Sequence, residues 1–154
     1  DLTVDFSKRF VREYRMRDQM VQAARSGRQN IAEGCQASGT SKKTEIKLVS
    51  VARASLEELL LDYEDYLRQN SLEQWHASED RAQQVRALAY LDNRSYSTYR
   101  TYIQQPSSAA NTAICLIHQA NYLLDNQLRA LEDQFIKNGG FAERLYKARQ
   151  QARR

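Results

Sequence analysis

Histidine and cysteine are the side chains best suited to catalysis or metal binding near neutral pH, and the sequence holds two of each. His76 and His118 lack partners at ligand spacing, and Cys35 and Cys115 form no CxxC pair. We expect His118 to be packed or interfacial, and Cys115, within an apolar stretch, to be a small buried side chain. These spacings predict no catalytic residue, no metal site and no cofactor, and therefore a protein that is not an enzyme.

Carboxylates are the next candidates for acid–base chemistry. Glu57 and Glu58, followed by Asp62, Glu64 and Asp65, fall within one predicted helix. Without a histidine or cysteine beside them, they are more typical of a solvated helix face than of an acid/base pair. The phosphate-binding pattern Gly-x-x-x-x-Gly-Lys is also absent.

Lysine and arginine residues carry the stronger functional signal. Lys+Arg number 23 against 19 Asp+Glu, which gives a net charge of +4 and a pI of about 9.1, with the excess at the two ends of the chain. We expect two groups of cations to converge on one end of a helical bundle, where contacts to phosphates would make binding depend on salt. The alternative is an ordinary solvated surface. The candidate nucleic-acid-binding residues are Arg17, Arg25 and Arg28 in one helix, Lys42, Lys43 and Lys47 in the next, and Arg144, Lys147 and Arg149 in a tail that also holds Arg153 and Arg154.

Three tyrosines offer a second route to nucleic acid. Tyr96, Tyr99 and Tyr102 are spaced by three and would share one face of a helix. Such a face is more often core or interface, but exposed tyrosines also stack on bases.

The elements that must position these residues are predicted by composition. A chain of 154 residues corresponds to one domain, and 42% apolar residues exclude a disordered tail. Five glycines and one proline are too few for a sandwich or barrel of short strands. We therefore expect a few long helices. No apolar run is long enough to span a membrane, and two free thiols, with a single bridge as the alternative, favour a cytoplasmic location.

Hydrophobic spacing places the helices. A first short helix begins near Leu2, a joint falls at about 13–17, and a second helix covers about 18–33 with Gly34 as its C-cap. After a loop at 35–41, a third helix starts near Thr40 or Ser41. The 71–105 segment is mixed, with one further helix, and a last long helix extends from Pro106 to Gly139.

Two apolar seams with alternating steps of three and four residues run along the third and last helices, and each holds one polar residue. Asn121 in the last seam either fixes register or oligomeric state, or hydrogen-bonds a neighbouring side chain. The seams are Ile46, Val49, Arg53, Leu56, Leu60, Tyr63 and Leu67, and Ala110, Ile114, Ile117, Asn121, Leu124, Leu128, Leu131 and Phe135.

The second helix carries a recognisable motif. It contains Arg25-Ser26-Gly27 within a face of small residues and ends in Asn30-Ile31-Ala32-Glu33-Gly34, and the next helix carries Ala52-Arg53-Ala54-Ser55-Leu56-Glu57-Glu58-Leu59. This pattern resembles the bacterial four-helix-bundle family of proteins encoded in intervening sequences of 23S ribosomal RNA genes, which includes the accessory variability protein of diversity-generating retroelements. The region from Asn121 to Tyr146 resembles the "four helix bundle suffix" extension of some members. Asn30, Glu33, Gly34 and Ser55 are the family-motif residues, and we expect Asn30 and Glu33 to bond across to the third helix.

The resemblance implies a fold and an assembly. The expected fold is all-α: an antiparallel up-down four-helix bundle forming a single domain over 1–154, with a helical insertion at 71–105 and a basic tail at 141–154. The resemblance implies a homo-oligomeric ring, commonly a pentamer. In the retroelement branch of the family, the ring binds RNA or DNA and partners a reverse transcriptase, and we extend that expectation to this chain. The alternative is an oligomeric scaffold or adaptor with protein-binding surfaces and no nucleic-acid role.

Overall fold

The structure, a computed structural model, describes residues 1–152, and within that range it is built from helices with no strand. The all-α fold expected from the sequence is confirmed. The helices are α1 (Leu2–Phe10), α2 (Tyr14–Ala37), α3 (Lys42–Gln69), α4 (Asp80–Leu88), α5 (Pro106–Asn138) and α6 (Phe141–Ala152), with a 3-10 helix at Tyr96–Tyr99.

The joint before α2 is shorter and earlier than the sequence indicates. Residues 11–13 leave the helix, and α2 already begins at Tyr14. Val11 stays in the core, and its backbone N–H closes α1 by donating to the Ser7 carbonyl oxygen. The change of apolar phase at 13–17 therefore marks the first turn of α2 rather than a break.

Small residues let α2 and α3 pack closely and antiparallel to each other. A Cβ atom added to Gly27 would lie 3.1 Å from Leu56 Cδ2, and one added to Gly34 would lie 3.3 Å from Val49 Cγ2. Gly34 is therefore an interior packing residue, and its prediction as a C-cap is wrong: α2 continues to Ala37. The loop shrinks to 38–41, where Ser41 caps α3 by accepting a bond from the Thr44 backbone N–H at 3.3 Å.

The two polar residues of the seams between α3 and α5, Arg53 and Asn121, both hydrogen-bond the carboxylate of Glu57. Arg53 bonds Glu57 at 2.6 Å and Asp125 at 3.0 Å, which raises the pKa of its guanidinium. The buried Asn121 donates from Nδ2 to Glu57 at 3.4 Å. This contact agrees with the interpretation of Asn121 as a residue bonded to a neighbouring side chain.

The two ends of the bundle contain different numbers of helices. At the end where α1 packs, which we call the four-helix end, the core includes Phe6 with Tyr63 and Tyr66 of α3. At the opposite end, around the 38–41 turn, the core consists of α2, α3 and α5 residues alone, chiefly Val49, Ala52, Leu124 and Leu131. We call this the turn end. The reason is length: α1 has 9 residues against 28 in α3, or about 14 Å against 42 Å at 1.5 Å per residue.

The 71–105 insertion packs on α5 through buried side chains of α4, Ala82 and Val85, and through one buried amide. Asn111 accepts a bond from the Trp75 backbone N–H at 2.7 Å and donates to the Glu73 carbonyl oxygen at 2.9 Å. The insertion contains α4, as expected, but its three tyrosines do not lie on one helix, because the 3-10 helix covers Tyr96–Tyr99 and ends before Tyr102. Tyr99 is buried, and the exposed Tyr96 donates its hydroxyl to Asp5 at 3.0 Å.

The last long helix has the predicted limits. Pro106 occupies the first turn of α5, and Gly139, with a φ of 66°, ends it. Residues 141–152 of the basic tail then form α6, none of whose residues is buried. Arg153 and Arg154 lie outside the described residues. No helix within residues 1–152 is long and apolar enough to cross a membrane.

Candidate nucleic-acid interface

Topology brings two of the three predicted basic groups to the turn end. Because α5 runs antiparallel to α3, its end at Asn138 lies level with the start of α3. Lys43 and Lys47 are exposed on the first turns of α3, and α6 begins just beyond α5. The cations of α6 at this end are Arg144, Lys147 and Arg149, all exposed.

The third basic group does not join them as a unit. Arg17 lies in the first turn of α2, at the four-helix end, with its guanidinium carbon 5.8 Å from the Tyr14 ring centroid. Arg28 lies 11 residues further along the same helix, which is about 16 Å at 1.5 Å per residue, and Arg25 lies between them. The expected convergence of the α2 arginines with the α3 lysines on one end is therefore wrong for Arg17. Arg25 and Arg28 are exposed midway along the bundle.

Ion pairing distinguishes one of the candidate cations from the others. Lys42 is half-buried and bonds the buried Glu45 at 2.9 Å, so its charge is used inside the chain. The other eight candidates form no salt bridge within 4.0 Å in residues 1–152: Arg17, Arg25, Arg28, Lys43, Lys47, Arg144, Lys147 and Arg149. Lys43 and Lys47 lie one turn apart and exposed at the start of α3, at the turn end.

The motif residues brace α2 rather than form a pocket. Asn30 Nδ2 donates to the Ser26 carbonyl oxygen at 2.9 Å, and Glu33 accepts from Gln29 at 2.9 Å. Neither side chain reaches α3, so the expected bonds across to that helix are absent. The link is made by Ser26, whose hydroxyl lies 2.9 Å from that of Ser55.

The histidines and cysteines occupy unrelated places. Both cysteines are free; Cys35 is exposed, whereas Cys115 is buried as predicted, and burial raises the pKa of its thiol. His118 is exposed on α5, so it is not packed in the core of this chain. Across residues 1–152, no three His, Cys, Asp or Glu side chains lie together in a way that would hold a metal ion.

The structure also contains a groove that the sequence did not predict. A cavity of about 1080 Å³, which we call the α4–α5 groove, lies between α4 with the turn that follows it and the middle of α5. Arg86, Arg94 and His118 line it, and Tyr90, Tyr122 and Leu123 stand exposed around it. The sequence feature that could have indicated the groove is the pair Tyr122 and Leu123, which lie on α5 outside the apolar seam.

Comparison with known proteins gives no assignment. No protein-family model, no curated protein and no solved structure matches this chain.

Proposed function

We propose that this protein is a non-enzymatic, homo-oligomeric nucleic-acid-binding accessory protein that uses the turn end to contact phosphates. The observation that carries the proposal is the set of exposed cations at that end. Lys43, Lys47 and the α6 cations have no carboxylate partner within residues 1–152. Each cation that neutralises a phosphate releases counterions, so unpaired cations favour binding to nucleic acid.

Oligomerisation would strengthen a modest patch. By its resemblance to the intervening-sequence protein family, the oligomer is a ring, and a pentamer is the expected subunit number. A ring would bring several turn ends to one nucleic acid, and linked weak sites bind far more tightly than a single one. The same resemblance makes a reverse transcriptase the proposed protein partner.

A mobility-shift assay with a structured RNA tests this function. We expect a shift at low salt that weakens steeply as the salt concentration rises, because phosphate contacts dominate. The absence of a shift at low salt would contradict the proposal.

One observation favours the alternative, a scaffold or adaptor without a nucleic-acid role. Phe141, Leu145 and Tyr146 lie along α6, and all three are exposed. An uncovered amphipathic helix is typical of a segment that docks on another protein. Deleting residues 141–154 distinguishes the two roles: a changed mass in light scattering assigns the tail to assembly, whereas loss of RNA binding at unchanged mass assigns it to recognition.

A further inference from the structure

The α4–α5 groove is an uncovered apolar surface with a positive charge. Tyr90, Tyr122 and Leu123 are large and exposed, and neighbouring alanines leave open space between them. Clusters of exposed apolar side chains on a soluble protein mark interaction sites more often than chance exposure. The groove therefore needs an occupant that is itself partly apolar.

The charges around the groove narrow the choice of occupant. Arg86 and Arg94 line the groove, and each donates to a backbone carbonyl oxygen, of Ala77 and Leu91 respectively. None of the residues that line the groove carries a carboxylate. Neither arginine forms a salt bridge in residues 1–152, so the occupant should supply acidic groups beside its apolar ones.

The outer face of α3 has that composition. Val51, Ala54, Glu58, Leu61 and Asp65 follow steps of three and four residues, and all five are exposed. We call this set the outer stripe. It lies away from the α3 seam that packs on α5, so it forms a second, solvent-facing stripe on the same helix.

The acidic side of the outer stripe is short of cations. Asp62 lies next to it, and its Oδ2 atom is buried without a hydrogen-bond partner in residues 1–152. The negative charges of Glu58 and Asp65 lie close enough to repel the ionised form of that carboxyl group. The cation that meets this cluster is Arg68, which bonds Asp65 at 2.8 Å, so the stripe is electrostatically complementary to a groove lined by arginines.

We infer that the α4–α5 groove of one protomer receives the outer stripe of α3 from a second copy of this chain. Two different surfaces meet, so the contact is heterologous: each protomer offers a groove on one side and a stripe on the other. Such contacts close into a ring when the rotation between subunits allows it and extend into a filament when it does not. This inference rests on the homo-oligomeric part of the proposed function and names its interface.

Two single substitutions each break one half of the contact. Leu61→Arg places a cation in the stripe opposite the groove arginines, and Leu123→Glu places an acid in the groove opposite the stripe carboxylates. Leu61 is 55% exposed and Leu123 is 66% exposed, so both variants should fold. Ile136→Glu, at a 79% exposed position near the far end of α5, is the matched control.

Light scattering across a concentration series is the readout. We expect the wild type and Ile136→Glu to exceed the mass of one chain, 17.9 kDa, and each interface variant to fall to it. The decisive sample is an equimolar mixture of Leu61→Arg and Leu123→Glu. The first variant keeps an intact groove and the second keeps an intact stripe, so the mixture should regain a mass of at least two chains.

Each contrary result overturns a different statement. Interface variants that keep the wild-type mass, or a mixture that stays monomeric, overturn this interface while leaving the oligomer in place. A wild type that is monomeric at every concentration overturns both the interface and the oligomeric part of the proposed function. If the variants keep their mass but lose RNA binding, the groove binds nucleic acid and the inference is wrong.

Discussion

At the four-helix end, Phe6 of α1 lies between Tyr63 and Tyr66 of α3, with ring centroids 4.9 Å and 4.8 Å apart. At the turn end, the core is formed by smaller side chains, such as Val49 and Ala52 against Leu124 and Leu131, and no α1 residue reaches it. The first end buries large aromatic rings, whereas the fully buried side chains of the second are aliphatic and smaller. Since hydrophobic stabilisation follows buried apolar area, the four-helix end should dominate the stability of the fold.

Each end carries both paired and unpaired cations within residues 1–152. At the four-helix end, Arg9 and Arg68 are engaged by carboxylates and Arg17 is not. At the turn end, Lys42 is engaged by Glu45, whereas Lys43 and Lys47 are exposed without a carboxylate partner. Under the proposed function, the four-helix end contributes most of the stability, and the unpaired lysines of the turn end contact phosphates. A surface that is not needed for stability is free to carry function.

The largest expected effect is that of truncating the aromatic core. Phe6→Ala should lower the free energy of unfolding by about 3–5 kcal/mol, because Phe6 is 1% exposed and its loss leaves a cavity between two tyrosines. Leu131→Ala at the turn end should lower the free energy of unfolding by about 2–3 kcal/mol, which is near the lower limit for truncating a buried leucine. Urea denaturation measures both, and a larger loss at Leu131 would reverse the proposed ranking of the two ends.

An intermediate effect is expected where α2 and α3 approach most closely. Gly27→Val should lower the free energy of unfolding by about 1–3 kcal/mol, because the added atoms meet Leu56 and overpack the contact. Gly39→Val is the control, since a Cβ atom at Gly39 meets nothing within 4 Å. Equal urea midpoints of unfolding for the two variants would show that the α2–α3 contact accommodates a larger side chain at Gly27, and would contradict this prediction.

The smallest effect concerns the pH dependence of stability. Burial, together with the neighbouring charges of Asp65 and Glu58, raises the pKa of Asp62 to about 6. Because the folded-state pKa lies above the unfolded value, Asp62 contributes stability at low pH, and that contribution is lost as the pH rises through about 6.

Asp62→Asn should therefore be more stable than the wild type at pH 7, by roughly 1 kcal/mol or less, since water partly screens a half-buried group. The difference should shrink towards pH 4, because the folded-state carboxyl group of the wild type is protonated there. Urea midpoints over that range measure it. A wild type that gains stability relative to the variant as the pH rises would contradict the assignment.

Local signals made part of the fold predictable. Pro106 lacks a backbone N–H and suits the first turn of a helix, and Gly139 adopts the positive φ that ends one, so both limits of α5 follow from single residues. The prediction that Gly34 caps α2 was wrong because glycine occurs both at helix C-caps and at close contacts between helices. Its partner Val49 is 15 residues away in sequence, and only the packed structure distinguishes the two roles.

The site was less predictable because it depends on distance between elements. Arg17 and Lys42 are both basic residues near helix ends, but α2 is 24 residues, about 36 Å, long and holds its two ends apart. The groove depends on how α4 packs against α5, which no local pattern specifies. Tertiary contacts likewise set the exposure of the tyrosines: Tyr99 is buried, whereas the exposed Tyr96 bonds Asp5 of α1.

The salt dependence of RNA binding tests the central claim, that the turn end binds phosphates, most directly. We expect log Kd to vary linearly with log salt, and the slope to fall by about 2 for Lys43→Gln/Lys47→Gln, since each lost phosphate contact removes about one unit. The matched control is Arg12→Gln/Arg15→Gln, which removes two exposed charges at the four-helix end. An unchanged slope in the lysine variant, or an equal fall in the arginine variant, would contradict the account.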